Sequence, residues 1–356
     1  MVERVGTDRL SCRMSIPDRM HSANDRTDLP VRTGSSTTPA SRSRRRSVLI
    51  GTAGIAAAAG VGIAYVLSGL TDDDHETDSL SWESDPNLIA HRGFAGENPE
   101  NTIAAVDAAT TDTEATGQRA DLIEIDVIPT ANDDVVVFHD DGLSERDDGD
   151  GLTDASGIVW ETDTETVTSA EVLDSGETVP LLTEILDAIP STVGVNIELK
   201  NPGSTELRFA EKLPNSELAE QKEIWRPFVD RVLEIADEYD NEILLSSFYE
   251  AALAISHELS TYPIAPLFWG SMDDGLEIAR TYDTSAIHPP ISMIQGTPFF
   301  DKSNLPDIDL VALAHEDGRD VNVWTVDSTQ QAKHLAAAGV DGIIADYSDL
   351  LAGESN

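Results

Sequence analysis

The chain has 356 residues, 40% of them hydrophobic, enough for one large domain with its own core. It carries 66 Asp and Glu against 23 Lys and Arg, a formal net charge of −43. That balance excludes nucleic acid as a partner, because phosphate backbones are held by clustered Lys and Arg, and the regular apolar segments exclude an acidic disordered polymer.

The acid excess is not uniform. Residues 1–70 hold ten basic and five acidic residues, which leaves 13 basic and 61 acidic in residues 71–356. Self-repulsion on that scale opposes a compact state at low ionic strength. Salt relieves it, since the Debye length shrinks to about 3 Å near 1 M. The composition is that expected of a halophilic protein. The single cysteine, Cys12, lies in the N-terminal tail, so the folded part has no disulfide and no cysteine metal site.

In chain order, residues 1–40 read as a polar, irregular tail, disordered or preceding a native start at Met14 or Met20. Residues 41–70 place Arg44, Arg45 and Arg46 directly before an Ala- and Gly-rich apolar run, 47–70. Basic-then-apolar order marks an export signal, and arginines abutting the run resemble the twin-arginine type. A membrane anchor is the other reading, since 24 residues suffice to span a bilayer. Both put the acidic domain outside, secreted or tethered to the outer face of the cytoplasmic membrane through residues 47–70. Residues 71–86 are an acidic linker, and residues 87–352 form the domain.

Short apolar runs then alternate with longer segments. The expected strands are Asn87–His91, Leu122–Val127, Val135–His139, Gly194–Leu199, Glu242–Ser247, Tyr262–Phe268, Ser285–His288, Val321–Val326 and Asp341–Ala345. Helices are expected over 101–110, 181–189, 223–239, 249–259, 273–281 and 328–338, and His315 reads as a helix end. Strands separated by helices argue a parallel sheet, and eight in about 270 residues argue a (β/α)8 TIM barrel. An open doubly wound sheet is the alternative, but no G-x-G-x-x-G follows the first strand. One connection is too short for a crossover helix: seven residues separate Val127 from Val135. A hairpin turning on Asn132-Asp133 would put Asp126 opposite His139, with Glu124 on the same face.

Polar residues sit where strands should be most apolar. Glu124 and Asp126 alternate with Ile123, Ile125 and Val127. Glu198 follows Val195 and Ile197, with Lys200 two residues on. His91 and His139 end strands, and His288 is a further candidate before Pro289-Pro290. A carboxylate inside a barrel costs several kcal/mol unless paired or bound to a cation. Lys200 supplies one charge, so a divalent metal is expected to neutralise the rest; all-oxygen ligation favours Mg²⁺ or Ca²⁺, with Mn²⁺ also suited.

The series AHRGFAGENPENT (90–102), IEIDV (123–127), VVVFHDDGLSER (135–146), VPLLTEIL (179–186), NIELK (196–200), SSF (246–248), VWTVDS (323–328) and GVDGIIADYSDLL (339–351) resembles the glycerophosphodiester phosphodiesterase family across almost all of residues 87–351. The resemblance implies a phospholipase-C-like barrel. It implies a divalent cation held by Glu124, Asp126 and Glu198, with His91 and His139 as the general acid/base pair. It implies phosphate binding by Arg92 and Lys200, support from Glu100 and Asn101, and Phe248 and Trp324 as walls of the glycerol side. The expected reaction is hydrolysis of a small glycerophosphodiester to a glycerol phosphate and an alcohol. Lysophospholipase D-like action on lipids and a non-catalytic surface binding protein are the alternatives. Three departures stand out: the polar stretch 110–121 is long, the family's T-x-D-G turn lacks its glycine in TANDD, and ADYSDLL replaces a Thr-Asp-x-Pro ending. Gly142–Glu177 matches a short insertion after the third strand. Oligomeric state is left open by the sequence.

Overall fold

The computed structural model describes residues 86–111, 118–144 and 151–351. The expected tail, the signal-like segment 41–70 and all but the last residue of the linker lie outside the described residues.

Nine strands form: β1 Asn87–Ala90, β2 Leu122–Pro129, β3 Val135–Val137, β4 Gly194–Leu199, β5 Ile243–Ser247, β6 Ile264–Pro266, β7 Ala286–Ile287, β8 Asp320–Val326 and β9 Gly342–Ala345. Eight of them are parallel, in the order β6-β5-β4-β2-β1-β9-β8-β7, with β3 paired outside this path to β2. The two ends meet: Ser285 N donates to Ile264 O at 3.1 Å and His288 N to Pro266 O at 2.9 Å. The result is the (β/α)8 barrel that the alternation of apolar runs demands. The helices are α1 Ile103–Ala109, α2 Thr164–Thr168, α3 Leu182–Ala188, α4 Asn215–Ala236, α5 Glu250–Leu259, α6 Met272–Thr281, α7 Leu310–Glu316 and α8 Thr329–Ala337.

Alternation within the strands decides what faces where. Ile123, Ile125 and Val127 of β2, Val195, Ile197 and Leu199 of β4, and Ile243 and Leu245 of β5 all join the main apolar core between sheet and helices. The intervening residues turn into the barrel. Low in the barrel these are apolar, with Leu244, Ala265 and Ala286 in a small cluster of their own. Toward the C-terminal ends they are Glu124, Asp126, Asn196, Glu198 and Ser246, all buried.

The β2–β3 hairpin departs from the expected register. Val127 pairs with Val137, Ile128 with Val136 and Pro129 with Val135, so Asp126 lies opposite Phe138, not His139. Phe138 N donates to Asp126 O at 2.9 Å. The cause is the turn. Asp133 N donates to Thr130 O at 3.1 Å, and Asp133 takes a left-handed φ of 63°. A type I turn followed by a left-handed residue makes a three-residue loop and shifts the pairing by one. His139 therefore reaches the rim from the segment that follows β3, not as a ladder partner.

The insertion after β3 builds a satellite core. Leu143, Leu152, Val159, Val167, Ala170, Val172 and Val179 pack on Ile128, Val136 and Phe138, the inner face of the hairpin where it rises above the barrel. Helix α2, absent from the sequence expectation, is part of it and starts at Asp163, whose Oδ1 accepts from Thr166 N at 3.0 Å. Helix α4 begins eight residues before the expected 223. Its polar first turns are anchored by Gln221 Nε2 donating to Glu206 O at 2.8 Å and by Arg208 paired with Glu217 at 2.8 Å.

The turn generates a prediction. Asp133 is exposed and holds a backbone conformation that glycine adopts freely. Asp133→Gly is expected to stabilise the domain by about 0.5 kcal/mol, a Tm gain of about 1–2 °C at this size, read by thermal denaturation at fixed salt. A lower Tm would show that the Asp133 side chain holds the turn.

Candidate active site

The rim after β1 carries three non-glycine residues in the left-handed region. Arg92, Phe94 and Asn101 have φ of 51°, 64° and 58°, with Gly93 between the first two at 79°. Each such residue costs of order 1–2 kcal/mol, and here each cost positions a group. The Arg92 conformation points its own N–H at Glu124 Oε2, 2.9 Å away. Gly93 lies so close to helix α1 that a Cβ there would fall 2.7 Å from Ala105 Cβ. Asn101 clamps Asp126 twice: its Nδ2 donates to Asp126 Oδ2 at 2.9 Å, and its Oδ1 accepts from Asp126 N at 3.2 Å. In the β2–β3 turn the left-handed Asp133 acts on register as described above.

Glu124, Asp126 and Glu198 come together because β2 and β4 are in parallel register, Glu124 beside Asn196 and Asp126 beside Glu198. One carboxylate oxygen from each lies within 4.8 Å of the others. Arg92 pairs with Glu100 at 2.7 Å and with Asp126 at 3.1 Å. Lys200 pairs with Asp126 at 2.9 Å and also with Glu198.

The electrostatics follow from burial and count. Burial, then the charges of Asp126 and Glu198, raises the Glu124 carboxyl well above the usual carboxylate range. Burial raises Glu198 too, despite Lys200. Asp126 is the exception: burial opposes its charge, but Lys200 and Arg92 outweigh it and hold the group well below its ordinary value. Two cations thus keep one carboxylate charged and leave two whose pKa values are raised, suited to a proton or a further cation. Glu124 Oε1 is buried and has no hydrogen-bond partner among the described residues. The donor set is all oxygen, so a hard divalent cation fits this pocket.

Both histidines are backed by a carboxylate. His91 Nδ1 lies 2.6 Å from Asp346 Oδ1, and His139 Nδ1 lies 2.6 Å from Asp140 Oδ1. The pairing fixes the proton on Nδ1 and turns Nε2 outward. Each imidazole stays partly open, with 12% and 19% of its side chain exposed. Burial, then the Arg92 and Lys200 charges, lowers His139 to about 4. Asp346 and Asp140 were missed as site residues in the sequence. Their signal was present, an acid one residue beyond β9 and an acid directly after His139.

The remaining expected residues are at the same rim. Phe248 is buried next to Lys200, whose Nζ is 5.9 Å from the ring centroid. Trp324 meets Phe248 edge-on at 5.5 Å, and its Nε1 donates to His288 O at 2.7 Å. His288 does not line the open pocket: it is wholly buried in the barrel, with Nε2 accepting from Asn322 Nδ2 at 3.0 Å. Burial lowers it to about 3. His257 and His334 lie on α5 and α8 against Tyr282 and Phe299, away from the site. His315, in the last turn of α7, holds Asp341 at 2.8 Å.

Comparisons with known proteins agree on one family. The model of the glycerophosphoryl diester phosphodiesterase family matches residues 91–350. A glycerophosphodiester phosphodiesterase of Bacillus altitudinis is 28% identical over 74% of this chain and 95% of its own length. A probable glycerophosphodiester phosphodiesterase of Mycobacterium tuberculosis is 29% identical over 74% of this chain and 88% of its own. Among solved structures, a phosphodiesterase of Oleispira antarctica in complex with the product sn-glycerol-3-phosphate superposes with a TM-score of 0.56 at 24% identity, over 74% of this chain and 94% of that one. That likeness bears on the fold.

His288 yields the pH prediction of this site. Its folded pKa is lowered from 6.5 to about 3, so the unfolded chain takes the proton first. Its contribution to stability is full above pH 6.5 and is lost as pH falls toward 3. Relative to His288→Gln, the native protein should lose up to about 1.4 kcal/mol per pH unit below 6.5, read by urea denaturation at constant salt. Parallel stability curves for the two proteins would contradict the assignment.

Proposed function

The chain belongs to the glycerophosphoryl diester phosphodiesterase family, and on that premise we propose that it hydrolyses small glycerophosphodiesters to a glycerol phosphate and an alcohol, with a divalent cation at the acidic cluster and His91 and His139 moving the protons. The observation that carries the reading is the convergence of three carboxylates within 4.8 Å of one another with Arg92, Lys200 and two carboxylate-backed imidazoles at one barrel rim.

Phosphodiester cleavage needs the non-bridging oxygens neutralised, a base for the nucleophile and an acid for the leaving alkoxide. Arg92 and Lys200 bind the phosphate, each held in place by Asp126. A cation bound by Glu124, Asp126 and Glu198, with Mg²⁺ or Ca²⁺ preferred and Mn²⁺ also suited, would supply charge neutralisation and Lewis acidity. One histidine takes a proton at Nε2 from the attacking hydroxyl and the other returns one to the departing oxygen. Asp346 and Asp140 hold the rings in the required tautomer and stabilise each imidazolium as it forms. Water and the neighbouring glycerol hydroxyl are both competent nucleophiles for this arrangement. Phe248 and Trp324 wall the glycerol.

A second reading, lysophospholipase D-like action on lipids, is favoured by two observations. Leu173 and Ile158 of the insertion are 50% and 37% exposed, and a human lysophospholipase D is 24% identical over 73% of this chain. A non-catalytic binding protein is disfavoured, since such a protein needs neither imidazole and both are present and oriented. The basic triplet before residues 47–70 supports export to the outer face of the cytoplasmic membrane, and the acid excess supports a halophilic setting. Among the described residues no helix is long and apolar enough to cross a membrane.

The test is an assay of the full chain in multimolar salt with glycerophosphocholine, with and without chelator. Release of glycerol phosphate should require the cation. His91→Ala and His139→Ala should each lower kcat by about 10²- to 10⁴-fold. Asp346→Asn should lower it by about tenfold or more while leaving substrate affinity near that of the native protein. Near-full activity in His139→Ala would refute its role in proton transfer.

A further inference from the structure

The chain has only five Trp, six Tyr and eight Phe, yet Phe209, Phe248, Tyr249, Trp269 and Trp324 form one connected group at the rim. Phe209 stacks on the face of Phe248 at 4.8 Å and 28°, and it touches Trp269 at 4.8 Å and Tyr249 at 5.1 Å. Trp269 also meets Phe248 at 5.3 Å. Phe209 is 36% exposed and Trp269 half-buried. The segment carrying Phe209 is not loose: Ala210 N donates to Phe248 O at 3.0 Å, and Lys212 pairs with the fully buried Glu250 at 2.5 Å. An aromatic ring is thus held at the surface, one ring away from the phosphate-binding Lys200.

We propose that Phe209 and Trp269 form the docking face for the leaving alcohol and select diesters whose alcohol carries a quaternary ammonium group. The proposal rests on the phosphodiesterase reading above and adds the headgroup to it. Rings packed at about 5 Å enclose no cavity, so the ligand lies on their outer faces, where the ring quadrupole attracts a cation. The surroundings favour positive charge. Asp141, held by Asn201 Nδ2 at 3.3 Å, stands near enough to Tyr249 that its charge, after burial, raises that phenol. Arg208, next to Phe209 in sequence, is tied between Glu211 and Glu217 and offers no free charge. Residues 71–356 carry 61 acidic against 13 basic groups. A primary ammonium keeps its water and seeks acceptors, whereas a quaternary one has no proton to donate and gains most from aromatic faces. An acyl chain would gain from the apolar area but nothing from the charge. Lys200, which binds the phosphate in the proposed reaction, stands 5.9 Å from the Phe248 centroid, and Phe209 and Trp269 pack on that same ring at 4.8 and 5.3 Å.

Steady-state kinetics of the full chain in multimolar salt decide the matter. The substrates are glycerophosphocholine and glycerophosphoglycerol, which share the phosphate and the glycerol and differ in headgroup charge. The native ratio of kcat/KM should favour choline. Phe209→Ala and Trp269→Ala should each lower that ratio by about three- to thirtyfold, mainly through KM. Phe209→Leu should fail to restore the ratio and Phe209→Trp should restore it, since only the latter keeps the π face. An unchanged ratio in both alanine variants overturns the proposal, as does rescue by Leu. If instead lysophosphatidylcholine turnover alone falls, the face serves an acyl chain and the proposal also fails. Hydrolysis of neither diester by the native protein overturns the reaction itself, a result distinct from hydrolysis of both at equal efficiency.

Discussion

Three carboxylates share the interior of one barrel rim with two cations, and much of the surrounding structure answers that imbalance. Asp126 takes most of the available positive charge, from Lys200 at 2.9 Å and Arg92 at 3.1 Å. Glu124 and Glu198 are left with raised pKa values from burial and mutual repulsion. Buried charge without compensation is among the most costly arrangements a fold can hold. A cation bound between the three would remove the cost and, in the proposed reaction, would help neutralise a phosphate.

Holding that site requires backbone that the helices and strands do not supply. The left-handed residues Arg92, Phe94 and Asn101 turn the chain back over the barrel mouth, so a backbone N–H reaches Glu124 and an amide reaches both sides of Asp126. Gly93 allows this turn to press against α1, and Thr102 then caps that helix by accepting from Ala105 N at 3.2 Å. Beside it, at the neighbouring strand β2, the insertion's satellite core packs on the extended end of the β2–β3 hairpin, after which His139 follows. Local strain at the mouth is repaid by packing around it.

Most of this was legible in the sequence because burial on both faces leaves a plain mark. The strand Leu122–Pro129 reads as an apolar run interrupted by acids at alternate places, and Gly194–Leu199 adds a third acid in register, so the acidic cluster shows in the pattern. What was not legible had a physical reason in each case. The hairpin register shifted because Asp133 adopts a left-handed conformation without the glycine that would announce it. Asp346 and Asp140 escaped notice in a chain with 66 acids, where one more Asp carries little information. The first turns of α4 are polar, and they are held by partners on a preceding loop that sequence periodicity does not see. The aromatic group at the rim draws on residues 209, 248, 249, 269 and 324, which only the closed barrel brings together.

The central claim is that Glu124, Asp126 and Glu198 act as one cation site. Isothermal titration of the chelator-treated full chain with Mn²⁺ in high salt tests it most directly. The account requires one ion per domain, with binding lost or weakened at least tenfold in Glu124→Gln and in Glu198→Gln. Mn²⁺ binding of equal affinity in the native chain and both variants, or none in the native chain, would contradict it.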